Sequence, residues 1–216
     1  LPFIFSVIET PYAIEQAIKD GFLRDSEDFE KMKDLTLAGK PGQVFLGMTW
    51  ASAVNNFLTY ISELMTLLFT TRPETLKSKE TVAVEAILEY KDDMDGFISH
   101  IAEAKVNQLS YKGMRDLADY FSERFGFLLF KKEEDLDDAV FYVEMRNLIV
   151  HNRAVVSRLC TTRIPRLAGQ EGTQVVFDRH HIEELTDFLA KSVADIDIRA
   201  AQKWNLPQEA SPKGLP

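Results

Sequence analysis

The sequence predicts an all-α fold: an up-and-down bundle of about five to seven helices, with one small β-hairpin or extended excursion before the last helix. Apolar residues recur three or four positions apart through most of the chain, the spacing that gathers them on one helix face. Strand-like composition is confined to two short segments, Thr161-Thr162-Arg163-Ile164-Pro165 and Thr173-Gln174-Val175-Val176-Phe177.

Taken in order, Glu9 to Asp20 and Ser26 to Leu37 read as short amphipathic helices. Lys40-Pro41-Gly42 reads as a breaker. A long helix is expected from about Gln43 to Thr71, with Val44, Met48, Ala51, Val54, Leu58, Ile61, Met65 and Leu68 at helical spacing, closed by Arg72-Pro73. The next is expected from about Lys79 to Leu109, and Ser110 is a candidate N-cap for a helix that runs to Arg124 and stops at Gly126. Glu133, Glu134, Asp135, Asp137 and Asp138 then open a helix, where acids suit the positive end of the macrodipole. After about Leu159, segments 161–165 and 173–177 are expected to pair as a hairpin across Gly169 and Gly172. Asp178 caps a last helix to about Trp204, with Ile182, Leu185, Leu189, Val193 and Ile196 inward. Residues 1–205 are read as one domain and 206–216, with three prolines, as a disordered tail.

A chain of 216 residues can bury a core without disulfides or metal. The single cysteine, Cys160, excludes an internal disulfide framework and fits a reducing, cytoplasmic setting. The apolar start, Leu1 to Ile8, lacks a basic flank and cleavage site, so a packed extended segment, or the stump of a longer chain, is expected and not a signal peptide. No run of ~18 apolar residues is uninterrupted, and no membrane span is expected. A net charge of −9 argues against indiscriminate nucleic-acid binding. Yet Met145 to Gln170 contains no acid while carrying Arg146, Arg153, Arg158, Arg163 and Arg166. Either that stretch is a basic surface or its arginines pair with acids from elsewhere.

One segment points to chemistry: Arg146-Asn147-Leu148-Ile149-Val150-His151-Asn152, set in an otherwise apolar helix. Such polar groups are costly to bury unless they are partnered or functional. On a helical wheel at about 100° per residue, Asn147 and His151 lie within about 40° of each other, and Arg146 points about 140° from His151. Asn147 is therefore placed to orient the imidazole, while one protomer would struggle to focus Arg146 and His151 on one phosphate. Two copies about a two-fold axis remove that difficulty. Histidine exchanges protons near neutral pH, and arginine grips phosphate oxygens with a fixed fork, a pairing suited to cleaving an RNA phosphodiester.

Glu144 to Asn152 resembles the signature of the HEPN superfamily, in which Arg, a polar residue, a short apolar stretch and His follow in order. The resemblance implies a metal-independent endoribonuclease acting as a homodimer, with Arg146 and His151 as the catalytic pair and Asn147 in support. Products would carry a 2′,3′-cyclic phosphate. Glu144, Asn152, Arg153 and Arg158 would contact the RNA. Many such domains act as toxins or in phage defence, which would add an antitoxin or regulatory protein as a partner. The resemblance also admits non-catalytic helical regulators similar to the mannitol operon repressor, which would use the motif helix as a dimer seam. On a third reading, Arg146, Asn147 and His151 form a buried polar network that fixes helix register. No cofactor or metal is expected: His181 and Glu184 share a helix face but have no visible third ligand.

Overall fold

The computed structural model describes residues 39–78, 81–110 and 112–206, together with Lys19. Apart from Lys19, the two helices expected before Pro41, the apolar start and nearly all of the expected tail lie outside the described residues. Those described form an all-α fold of seven α-helices with two short 3-10 turns, at Pro73–Leu76 and Pro165–Leu167.

Helix α1, Lys40–Thr71, packs against three later helices and forms the axis of the core. Pro41 sits in its first turn, where the missing N–H is an orphan in any case, so the expected breaker is a helix start. The buried series is Leu46, Trp50, Val54, Phe57, Ile61, Leu64 and Leu68. Val44 and Met48, expected inward, are instead 63% and 67% exposed, because the inward stripe near the N-terminus passes through Leu46 and Trp50. Trp50 fastens α1 to its neighbours: its indole N–H donates to the Tyr142 carbonyl at 3.3 Å, and its ring meets Tyr142 and Phe177.

The single helix expected from Lys79 to Leu109 is broken into α2, Val84–Glu89, and α3, Met94–Ser110. Asp93 explains the break. Its Oδ1 accepts from the Gly96 N–H at 2.9 Å, a local bond that competes with continuing the helix. Ser110 ends α3 instead of capping the next helix; its hydroxyl donates to the Asn107 carbonyl, and Gly113 is the N-cap of α4, Met114–Phe125. Gly126 stops α4 in the left-handed conformation, φ 57°.

Helix α5, Glu133–Asn152, is continuous through the polar heptapeptide. Three acids occupy its first turn, and Arg115 of α4 bonds Glu133 at 2.5 Å and Asp137 as well. No hairpin follows. Arg158–Arg163 forms a helix, α6, capped by Ser157 Oγ, which accepts from the Cys160 N–H at 3.2 Å. Thr161 and Thr162 have strand propensity, but their hydroxyls donate to the Arg158 carbonyl within the helix. The β character is reduced to one antiparallel bridge, Val155 with Gln174. Helix α7, Arg179–Trp204, opens with a reciprocal capping box between Asp178 and His181 and buries Leu185, Leu189, Ile196 and Ala200.

Candidate functional site

Helices α5 and α6 meet beside the polar heptapeptide. Glu144, Asn147, Leu148 and His151 lie three or four residues apart, so they line one stripe of α5. That stripe faces Ser157, Leu159, Cys160 and Arg163, and together with Asn152 they bound a cleft of about 190 Å³. His151 is exposed at this cleft and makes no hydrogen bond to any described residue. Of the residues expected at the site, Glu144, Asn147, His151 and Asn152 come together here. Arg146, Arg153 and Arg158 do not line the cleft.

Arg146 points toward α1. Its Nε donates to Asn55 Oδ1 at 2.8 Å and its Nη1 to Asn147 Oδ1 at 3.0 Å. No hydrogen bond joins Asn147 to His151; the Asn147 oxygen accepts from Arg146. Arg146 is only half-buried, so donors beyond these two remain near the surface. A fully sealed network of Arg146, Asn147 and His151 is not what the side chains form.

The end of α5 is shaped by two successive non-glycine residues with positive φ, Arg153 at 54° and Ala154 at 60°. The Ala154 N–H returns to the Leu148 carbonyl at 3.2 Å, and the Asn152 side-chain amide donates to the Val155 carbonyl. These bonds turn the chain sharply, so that Ser157 and α6 come back over the motif face. Asn152 is thus a turn residue as well as part of the cleft wall.

The five arginines of the acid-free stretch have different surroundings. Arg166 bonds Asp138 at 2.5 Å and lies over the Phe141 ring. Arg163 Nη1 lies 3.7 Å from Glu144 Oε2. Arg153 and Arg158 are exposed and make no ion pair with a described residue. Both readings of the stretch therefore hold in part: some charges are paired with acids from α5, and two are exposed without an ion pair to a described residue.

Cys160 is buried in the cleft wall, and its thiol is pushed above the ordinary cysteine value, first by burial and then by the Glu144 carboxylate. Sequence reading overlooked Ser157, Cys160 and Arg163 as cleft residues. Ser157 is the signal that was legible, since a serine before Arg158 marks a helix start and not a strand. Among the described residues no three His, Cys, Asp or Glu side chains form a metal-ligating group, and no helix is long and apolar enough to cross a membrane. No family model, curated protein or solved structure matches the chain.

Proposed function

We propose that the chain is a metal-independent endoribonuclease that works as a homodimer in a reducing compartment, with His151 as its proton-transfer group. The observation that carries the reading is His151 itself: exposed, without a hydrogen bond to any described residue, and lining a cleft on a helix whose motif resembles that of HEPN ribonucleases. A histidine that served a buried polar network would be sealed and hydrogen-bonded. The exposed Arg153 and Arg158 are suited to guiding the RNA backbone, and Asn152, in the cleft wall, to contacting a sugar or phosphate oxygen.

The chemistry divides between two protomers. One neutral imidazole takes the 2′-hydroxyl proton as the 2′-oxygen bonds to phosphorus; the P–O5′ bond breaks, and the protonated imidazole of the second protomer gives its proton to the leaving 5′-oxygen. A single histidine cannot be base and acid in the same step, which gives a chemical reason for two copies. Arg146 is fastened by Asn55 and Asn147; on this reading its remaining donors stabilise the charge that builds on phosphorus bound by the second protomer. A partner antitoxin or regulatory protein would act by covering this face.

Incubating wild type and His151→Ala with an end-labelled RNA mixture in EDTA tests the proposal. Cutting by the wild type alone is expected; equal cutting by both, or none by a folded wild-type dimer, refutes it. A non-catalytic regulator is the second reading, and the Arg146–Asn55 bond favours it, because it gives Arg146 an architectural task that needs no substrate. On that reading His151→Ala changes dimerisation and no RNA is cut.

A further inference from the structure

We infer that Arg163, outside the motif, supplies the cation that holds a phosphate oxygen beside His151 within a single protomer. The inference rests on the ribonuclease reading of the cleft and identifies how each cleft binds the anionic part of its substrate. Arg163 and His151 line the same cleft, one from α6 and one from α5. The Arg163 side chain is 56% exposed, so its fork of donors is open to an entering ligand.

Glu144 explains why Arg163 is held there. Its side chain is only 17% exposed, and at 3.7 Å it attracts the guanidinium without an ordinary hydrogen bond. Arg163 makes no side-chain hydrogen bond to any described residue, so no donor has to be released when a phosphate arrives. Arg146 differs on each count: it spends Nε on Asn55 and Nη1 on Asn147, and it lies off the cleft. Glu144 is thereby a positioning residue for Arg163. Its negative charge makes it a poor direct contact for RNA phosphate, contrary to the substrate-contact role that the family resemblance implied.

Titration with inorganic phosphate, read on the His151 imidazole proton resonances at fixed pH and ionic strength, tests the inference. The chain has only four histidines, so His151→Ala identifies the signal. A saturable shift is expected in the wild type, weakened at least about tenfold by Arg163→Ala and partly restored by Arg163→Lys. Arg163→Gln, of similar length and uncharged, gives the same comparison if the alanine variant fails to fold. No saturable shift in the wild type, undiminished binding by the uncharged variant, or loss in Arg146→Ala alone would each overturn it. Parallel RNA cleavage separates the two claims. Phosphate held through Arg163 without RNA cleavage rejects the nuclease and keeps the anion site, whereas cleavage with Arg163-independent phosphate binding does the reverse.

Discussion

Arg146 on α5 donates from Nε to Asn55 Oδ1 on α1 at 2.8 Å, joining residues 91 positions apart. The motif arginine is therefore a fastener between the central helix and the motif helix as well as a charge. Because the pair is partly open to water, its contribution is modest, about 1 kcal/mol. Asn55→Ala is expected to lower stability by about that amount in urea unfolding. A double-mutant cycle with Arg146→Ala should give a coupling of about 0.5–1 kcal/mol; a coupling of zero would mean the bond is not energetically real.

The left-handed Arg153 gives a prediction of opposite sign. A side chain at φ 54° costs about 1 kcal/mol relative to glycine, which helix ends favour at this position. Arg153→Gly is expected to raise the urea midpoint while weakening RNA binding and reducing its salt slope by about one. A gain in stability with no change in salt slope would remove Arg153 from the RNA path.

Gly47 marks the close approach of α1 and α5. A Cβ built there lies 3.4 Å from Ile149 Cγ2, so a methyl group just fits and a larger side chain does not. Gly47→Ala is expected to leave stability within about 1 kcal/mol, helped by the gain in helix propensity. Gly47→Leu should cost about 1–3 kcal/mol by forcing the helices apart. Thermal unfolding of both variants distinguishes this from a loose interface, where the two would behave alike.

Acid stability is expected to depend on Asp195. Its carboxylate accepts from Lys131 at 2.8 Å and from Arg199 at 2.6 Å, and these cations, Lys131 first, hold it below the usual carboxylate range. The unfolded chain therefore binds this proton more readily than the folded one. The stabilisation is complete above the unfolded value of about 4 and is lost as pH falls through the lower folded value. Asp195→Asn should flatten this part of the acid arm; because the group is nearly half exposed, the effect should shrink in high salt. An unchanged pH profile would contradict it.

The sequence carried the fold where apolar spacing was long and uninterrupted. Helices α1, α5 and α7 were legible for that reason, and the Asp178 cap and the Gly126 stop were read from single residues. The α2–α3 break was not, because it depends on the Asp93 side chain closing on the Gly96 N–H, and helical periodicity continues on both sides. The hairpin expectation followed β-branched residues at 161–164 and missed the Ser157 cap that folds them as helix. At the site, wheel geometry correctly separated Arg146 from His151, since both lie on one continuous helix. Arg163 was out of reach, because its place beside His151 depends on the left-handed turn at Arg153 and Ala154.

The most direct test is the chemistry of the RNA ends released in EDTA by wild type, Arg146→Ala and His151→Ala. Metal-independent cutting that leaves 2′,3′-cyclic phosphate ends, and that disappears in both variants, is the predicted result. Absence of cutting by a folded, dimeric wild type, or cyclic ends that persist without His151, would contradict the account.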